Sequence, residues 1–272
     1  MVIEKEGEIQ VMICGCNLKA GYDGRIVLKE LDVTIEKGQI VTLIGPNGSG
    51  KSTLLKAISR LLNCMSGTVY LDGKDIHKIN TREVAKRMAV LPQTQHMPPD
   101  FTVEELVAHG RIPHHRWYEI KNDDDQEIIK WAIKVSKLED LAARPVITLS
   151  GGERQRAWIA LALAQKPEVL LMDEPTTFLD ICHQLEIMEL VKSLNQEMGI
   201  TVIMVLHDLN QAASHSHKIF VLNKGSIVAS GTPKEVFSKE LLKDVYNIHA
   251  DVIINKANGC PAIFPLGLAA VV

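Results

Sequence analysis

The sequence lacks features that would place it at once in several large classes of protein. Its 33 acidic and 30 basic residues leave a formal net charge of −3, so no overall positive field attracts nucleic acid. The longest apolar stretches, such as 169–172 and 201–206, are far shorter than the ~20 residues of a membrane-spanning helix. We therefore expect no nucleic-acid partner and no segment that crosses a membrane.

Cysteine usage and the amino terminus argue against two further classes. Five cysteines, an odd number with no C-x-x-C spacing, favour reduced thiols over a disulfide framework or a structural zinc site. The first residues contain no basic segment that leads into an apolar one. We therefore expect no secretory signal and a cytoplasmic location.

What is present is the composition of a folded globular chain. Of its 272 residues, 46% are apolar and 23% are charged, values close to globular averages that exclude global disorder. This length is sufficient for one large domain or two small ones with a substantial core.

The first third of the chain is predicted to be rich in strands. Alternating and β-branched residues mark strands at 11–18 and 26–35, and a short buried strand is expected at 39–44. A glycine-rich loop and a helix follow. The apolar residues at helical spacing after the loop are Leu54, Leu55, Ile58, Leu61 and Leu62. Strand, glycine loop and helix are the local order of a nucleotide-binding βα unit.

The rest of the chain is predicted to combine a helical insert with further strands. Thr102 and Glu105 form a capping-box pattern, and the acidic run 123–125 can cap a second helix. Continuous apolar runs predict two strands buried on both faces, at 169–172 and 201–206. A helix is expected between them, at 184–198. The last stretch, 250–272, is expected to form short strands or an appendage.

The glycine-rich loop matches the pattern G-x-x-x-x-G-K-S/T over residues 45–52. Its glycines allow backbone N–H groups to turn inward around phosphate oxygens. In this pattern Lys51 reaches the β- and γ-phosphates and the Ser52 hydroxyl ligates Mg²⁺, while the following helix points its positive end at the same anion. The expected nucleotide-binding residues are Gly45, Pro46, Asn47, Gly48, Ser49, Gly50, Lys51, Ser52 and Thr53.

Polar residues also follow the two predicted buried strands. Asp173 and Glu174 come directly after 169–172, where one carboxylate of a P-loop protein reaches Mg²⁺ and a second can polarise the attacking water. An acidic pair at this position is also compatible with a solvated turn, but the presence of the phosphate loop favours a role for the pair in Mg²⁺ binding and hydrolysis. His207 follows 201–206, where a histidine is either a hydrogen-bonded structural residue or a sensor of the γ-phosphate.

The segment 149–155 (LSGGERQ) resembles the signature motif of ATP-binding cassette (ABC) ATPases, and the family's other motifs follow in order over roughly 11–237. By this resemblance the expected catalytic residues are Glu174, His207, Lys51 and Gln93. The expected Mg²⁺ ligands are Ser52, Gln93 and Asp173. Tyr22 is expected to stack on the adenine of ATP. The other expected ATP contacts come from the signature, Ser150, Gly151, Gly152 and Glu153, and from the family's D-loop, Asp180.

The resemblance also implies the fold, an α/β P-loop NTPase of ABC-type architecture. This has a RecA-like parallel sheet core, an amino-terminal antiparallel β subdomain and an inserted helical subdomain. We expect the ABC ATPase domain at 8–250, with its helical subdomain at about 94–165, and an appendage at 251–272. By this resemblance 45–53 is the family's Walker A loop. Cassettes of this family face head to tail with ATP between the Walker A loop of one and the signature of the other, which implies a homodimer with two competent sites.

Three segments, at 110–114, 206–212 and 259–266, resemble the ATPases of iron(III)–siderophore, haem and cobalamin importers. This implies a peripheral ATPase at the cytoplasmic face of the membrane that powers uptake of a metal chelate, with iron(III)–siderophore as the leading cargo. Its implied partners are integral-membrane permease subunits and, indirectly, an extracytoplasmic substrate-binding protein. Haem, cobalamin or another metal as cargo is the alternative, and an exporter or a soluble ABC ATPase without transport is a further one.

The stretch 93–118 is expected to receive a cytoplasmic helix of the permease, because the resembling proteins couple there. An exposed apolar floor would suit such docking. The residues expected to form it are Met97, Pro98, Pro99 and Phe101.

Overall fold

The strands form three sheets in this computed structural model, which describes residues 10–94, 100–115 and 123–269. In chain order the described strands are Val11–Tyr22 (β1), Arg25–Glu36 (β2), Ile40–Ile44 (β3), Ser66–Leu71 (β4), Lys74–Asp75 (β5), Met88–Leu91 (β6), Val169–Asp173 (β7), Thr201–Val205 (β8), Lys218–Asn223 (β9), Ser226–Gly231 (β10), Ile248–Ile254 (β11) and Pro261–Leu268 (β12).

Helices fill the connections between these strands. The α-helices of the described residues are Lys51–Ile58 (α1), Thr81–Arg87 (α2), Val103–Ala108 (α3), Asp123–Val135 (α4), Gly151–Ala164 (α5), Ile181–Met198 (α6), Leu209–His215 (α7), Pro233–Val236 (α8) and Lys239–Tyr246 (α9). Not one of these described helices combines the length and apolar character that crossing a lipid bilayer requires.

The central sheet brings three loops to one edge. Its strand order is β10-β9-β3-β8-β7-β6, and each neighbouring pair apart from β10 and β9 is parallel. Every residue of β3, β7 and β8 is buried, as expected for parallel strands covered on both faces. Because β8 lies between β3 and β7, the loops after these three strands meet at the carboxyl edge, where ligands bind in open α/β sheets.

The antiparallel sheet, in the order β2-β1-β4-β5, covers one face of the central sheet. Its buried residues Ile13, Leu28 and Leu71 share an apolar cluster with Leu43 of β3 and Leu55 of α1. Helix α1 contacts strands of both sheets, so this burial fixes the start of the helix that follows the glycine-rich loop.

The helices between β6 and β7 pack on the opposite face. Residues Val107, Ile133 and Leu163 belong to the same buried cluster as Leu170 of β7. Both predicted helices of this insert are present, α3 after the Thr102 cap and α4 from Asp123. In the first of them, Thr102 Oγ1 accepts the Glu105 N–H at 3.3 Å and Glu105 Oε2 accepts the Thr102 N–H at 2.8 Å.

The predicted apolar floor for a permease is only partly visible. Met97, Pro98 and Pro99 lie outside the described residues. The ring of Phe101 lies 5.0 Å from that of His109, and Phe101 is half-buried.

One predicted helix is shorter than its apolar spacing indicated. The expectation that Leu61 and Leu62 continue α1 is wrong, because α1 ends at Ile58 and Leu61 exposes 63% of its surface. Arg60 takes a left-handed φ of 62°, which ends the helix. Its guanidinium donates to the carbonyls of Ile76 and Ile79, at 3.2 and 2.9 Å. These partners lie beyond the helix, so local spacing did not reveal the end.

The last stretch forms the short strands that its sequence predicts. Strands β11 and β12 pair as an antiparallel hairpin, which we call the carboxy-terminal hairpin (248–268). It contacts α7 and α9, and its residues Ala250 and Ile263 join the main buried cluster.

Candidate nucleotide-binding site

The loop between β3 and α1 depends on glycine at positions where other residues do not fit. Gly45, Gly48 and Gly50 have φ values of +146°, +75° and +105°, in the left-handed region that favours glycine. A Cβ atom on Gly45 would also lie only 2.1 Å from the Leu222 carbonyl oxygen. Backbone conformation therefore favours glycine at all three positions, and close contact with β9 adds a second requirement at Gly45.

Lys51 lies buried beneath this loop, with 5% of its surface exposed. Its Nζ donates to the Gly45 and Pro46 carbonyls at 2.8 and 3.0 Å. Burial lowers the pKa of Lys51, while the nearby Glu174 and Asp173 carboxylates act in the opposite direction. The ammonium group is thus held at the phosphate loop by carbonyl oxygens.

Ser49 provides a structural test of whether an anion fits the loop. Its Oγ is buried and has no hydrogen-bond partner within the described part of the chain. Buried hydroxyls normally have a partner. An anion oxygen in the loop would give the Ser49 hydroxyl an acceptor, so the residues present fit a phosphate group.

Ser52 and Asp173 join the phosphate loop to the end of β7. The Ser52 hydroxyl donates to Asp173 Oδ1 at 3.0 Å. Burial raises the pKa of Asp173, and the hydrogen bond from Ser52 partly offsets the effect. A hydroxyl and a partly desolvated carboxylate are hard oxygen donors, the kind that Mg²⁺ prefers. The pair therefore fits a Mg²⁺ ion.

Glu174 is contacted on both carboxylate oxygens. His207 Nε2 lies 2.6 Å from Oε1, and Gln93 Nε2 donates to Oε2 at 2.7 Å. Thr177 Oγ1 also donates to Oε2, at 3.1 Å. Sequence reasoning missed Thr177, although its position three residues after Glu174 in the same turn was a usable signal. The backbone of Glu174 is itself left-handed, with a φ of 56°.

These residues line or adjoin a cleft of about 420 Å³ at the carboxyl edge of the sheet. The residues that line it are Val27, Asn47, Gly48, Gly50, Lys51, Ser52, Thr53, Glu174 and His207. The sheet order thus brings the predicted phosphate loop, carboxylate and histidine together.

Tyr22, the predicted adenine-stacking residue, does not line this cleft. It ends β1 at the tight turn into β2 and exposes 42% of its surface. Val27, on β2, is the apolar residue that this sheet contributes to the lining. The stacking role of Tyr22 stays a prediction.

The predicted signature residues form a second cluster, which we call the signature cluster (150–153 with Asp180). Ser150 caps α5: Glu153 Oε2 accepts the Ser150 N–H at 2.8 Å, and Ser150 Oγ accepts the Glu153 N–H at 3.3 Å. The hydrogen bonds from the Ser150 backbone and hydroxyl lower the pKa of Glu153. Ser150, Gly151 and Asp180 are exposed and do not line the cleft.

His183 contacts both parts of the signature cluster, Asp180 and the start of α5. Its ring Nδ1 lies 2.8 Å from Asp180 Oδ2, and its backbone N–H donates to Asp180 Oδ1 at 2.9 Å. The ring also occupies the space next to Gly152, where a Cβ atom would lie 2.1 Å from His183 Cδ2. The second signature glycine is therefore required by close packing.

The geometry supports binding of a triphosphate and activation of water. A positive helix start, a buried lysine and backbone amides favour phosphate oxygens. A carboxylate fixed through both oxygens can hold a water molecule and accept its proton.

Comparison with known proteins places the chain in a family. The sequence model of the ABC transporter family matches residues 28–177. The iron(3+)-hydroxamate import ATP-binding protein FhuC of Bacillus subtilis is 50% identical over 244 residues, covering 90% of this chain and 91% of that protein. The ferric enterobactin transport ATP-binding protein FepC of Escherichia coli is 44% identical over 256 residues, covering 94% of each.

Solved structures agree with this assignment. A bacterial ABC transporter cassette determined as a dimer is 32% identical, with a TM-score of 0.72, and the match covers 81% of this chain and 98% of that one. This chain has the expected architecture of an α/β P-loop NTPase of ABC type, with a largely parallel sheet core and an antiparallel amino-terminal sheet beside it. From its sequence, its fold and its relatives, this chain belongs to the ABC transporter family.

Proposed function

We propose that this chain is the ATP-hydrolysing subunit of an ABC importer that takes up a metal chelate, with iron(III)–siderophore as the leading cargo. The observation that carries hydrolysis is the Glu174 carboxylate, which three polar side chains hold at the cleft beside Lys51. The likeness over at least 90% of the chain to ATP-binding proteins of iron(3+)-hydroxamate import and ferric enterobactin transport supports the importer role.

ATP binds through its phosphates in this proposal. The backbone amides of 45–52 and the ammonium of Lys51 neutralise the triphosphate, and Ser49 gains its missing hydrogen-bond partner. Ser52, Asp173 and the side-chain carbonyl of Gln93 would hold Mg²⁺. When bound, this ion neutralises phosphate charge as the γ-phosphoryl group transfers.

Hydrolysis uses Glu174 as the group that orients and deprotonates water. The water oxygen bonds to the γ-phosphorus, the bond from phosphorus to the ADP oxygen breaks, and the water proton passes to the carboxylate. General-base catalysis of this kind contributes about 10²- to 10⁴-fold. His207 and Gln93 keep the carboxylate in place, since each contacts a different oxygen.

A second copy of the chain completes each site. Ser150, Gly151 and Asp180 of the signature cluster are exposed and do not line the cleft of their own chain, and the start of α5 is suited to an anion. Ser150 to Glu153 and Asp180 would therefore contact ATP bound to the partner. The dimeric state of the 32% identical cassette supports the association of two copies. ATP then favours the closed dimer, and hydrolysis removes that preference.

The membrane partner is a separately encoded permease dimer that docks on 93–118. The chain would lie peripherally at the cytoplasmic face of the membrane, and an extracytoplasmic binding protein would deliver the chelate from the other side. In this proposal 8–250 is the ATPase domain, 94–165 its helical subdomain and 251–272 an appendage. Alternative cargoes are haem, cobalamin or another metal; a soluble ATPase without transport is the other class.

Uptake of radiolabelled cargo by a strain that lacks this protein tests the proposal. We expect loss of iron(III)–siderophore uptake, restored by the wild-type chain and by E189Q, an exposed control on α6, but not by E174Q. Selective loss of haem or cobalamin uptake would favour those cargoes. Unchanged uptake of all three, with ribosomal RNA instead of a membrane dimer in the purified complex, would favour the soluble class.

A further inference from the structure

One side chain fastens the carboxy-terminal hairpin to helix α7. Asn210 Oδ1 accepts the Ile263 N–H at 2.7 Å, and Asn210 Nδ2 donates to the Ile263 carbonyl at 3.2 Å. The amide thereby bonds both backbone groups of one residue of β12, as a neighbouring strand would. A primary amide supplies the donor and the acceptor together, whereas an ionised carboxylate supplies acceptors only.

Helix α7 is directly coupled to His207. Asp208 separates His207 from the first helical residue, Leu209, and caps the helix. Its Oδ1 accepts the N–H groups of Asn210 and Gln211 at 2.7 and 3.0 Å. The place of His207 is therefore tied to the first turn of α7, where Asn210 stands.

The same helix is bonded to the segment after Glu174 through a different residue. Gln211 Nε2 donates to Gln184 Oε1 at 2.7 Å, and Thr176 Oγ1 donates to Gln211 Oε1 at 3.2 Å. Gln211 and Asn210 thus give α7 two sets of side-chain anchors, one toward β7 and α6 and one toward the hairpin. Losing the second set leaves the helix start with the bonds of Gln211 and with the apolar packing of Ala212 and Ala213.

The hairpin is itself firmly held, so it can serve as an anchor. Ile263 is 2% exposed and Ala250 is 4% exposed in the main core cluster. Lys239 Nζ donates to Asp251 Oδ1 at 2.6 Å and joins α9 to β11. Tyr246, the last residue of α9, is near the phosphate loop, because the Gly45 backbone forms a hydrogen bond with its hydroxyl. Burial raises the pKa of this hydroxyl, and the hydrogen bond partly offsets the rise.

We propose that Asn210 is a positioning residue for ATP hydrolysis, which acts by locking α7 to the carboxy-terminal hairpin and so holding His207 against Glu174. The inference rests on the proposed ATPase function and gives the hairpin a role in it. Asn210 does not itself contact the cleft, so its loss changes the placement of His207 while the phosphate loop stays intact.

Steady-state ATP hydrolysis by the full-length protein gives the first test. N210A is expected to lower kcat roughly tenfold while KM for ATP changes less than about twofold. N210D keeps an acceptor for the Ile263 N–H but turns a carboxylate oxygen toward the Ile263 carbonyl, so we expect its kcat to fall at least as far as that of N210A. Because Asp has nearly the same size as Asn, this variant separates loss of the bonds from the cavity that N210A creates. The control is N258A, in the turn of the same hairpin, where Asn258 Oδ1 accepts the Cys260 N–H at 3.0 Å. N258A should match the wild type.

The imidazole resonances of His207 give a second test that does not need turnover. In N210A they should move toward their positions in E174A, where the carboxylate partner is missing, and in N258A they should stay in place. Wild-type kcat and wild-type resonances in N210A would overturn the role of Asn210 and leave the proposed function standing. A wild-type chain that hydrolyses no ATP would contradict the proposed function, and the resonances would still decide the role of Asn210.

Discussion

His207 Nε2 lies 2.6 Å from Glu174 Oε1, although the two residues are 33 positions apart in the sequence. The two residues meet because they follow β8 and β7, which are neighbours in the central sheet. Gln93 and Thr177 contact the other carboxylate oxygen. The carboxylate is therefore fixed before any water reaches it, which is the arrangement that preorganised catalysis needs.

Replacement of His207 tests whether this contact serves hydrolysis. H207A is expected to lower kcat by roughly 10²-fold, with little change in KM for ATP, because His207 contacts Glu174 and forms no hydrogen bond to the phosphate loop. Phosphate release measured against ATP concentration separates the two constants. H249A, an exposed histidine of β11, serves as the control. A rise in KM with unchanged kcat would assign His207 to binding instead.

Removal of divalent cations tests the proposed Mg²⁺ ligands. We expect EDTA to abolish hydrolysis and added Mg²⁺ to restore it. S52A should raise the Mg²⁺ concentration for half-maximal activity by about tenfold, because a ligand and the hydrogen bond to Asp173 are lost together. S59A, at the other end of α1, removes only a bond to the Lys56 carbonyl and should leave the Mg²⁺ requirement unchanged. An identical Mg²⁺ requirement in S52A would contradict the assignment.

Two glycines of the phosphate loop are expected to respond differently to alanine. G45A should lower the free energy of unfolding by more than ~2 kcal/mol, because its Cβ would meet the Leu222 carbonyl oxygen in addition to the strained φ. G48A has only the φ penalty, about 1 kcal/mol, since no atom of the described residues lies within 4 Å of its Cβ position. Urea unfolding of both variants checks the order, and equal losses would show that packing on Leu222 contributes nothing.

The helix cap of the signature cluster predicts a pH-dependent contribution to stability. Hydrogen bonds from the Ser150 backbone and hydroxyl lower the pKa of Glu153 in the folded chain, so the ionised form stabilises the fold. This contribution is present above the unfolded-state pKa and is lost as pH falls through the lowered folded pKa. E153A should therefore cost about 0.5 kcal/mol near pH 7, and less once the pH has fallen through the lowered folded pKa of Glu153. A difference that is constant with pH would contradict the capping role of the carboxylate.

The residues at the carboxyl edge of the central sheet were predictable because the sequence patterns that mark them span only a few neighbouring positions. Buried apolar runs followed at once by Gly45, Asp173 or His207 place those residues at the ends of strands, and parallel strands align their ends. The end of α1 was not predictable, since Arg60 bonds carbonyls that come later in the chain. The bond from Asn210 to Ile263 depends on where the hairpin docks, which no local pattern encodes. Tyr22 does not line the phosphate cleft, and its predicted stacking on adenine stays a prediction.

The mass of E174Q in solution, with and without ATP, decides whether ATP joins two copies of this chain. The variant should bind ATP but hydrolyse it poorly, so we expect a stable dimer of twice the 30.1 kDa chain mass with ATP and Mg²⁺, and loss of that dimer when S150R is added to E174Q. A single chain that carries bound ATP at the same concentration, or wild-type turnover by E174Q, would contradict this expectation.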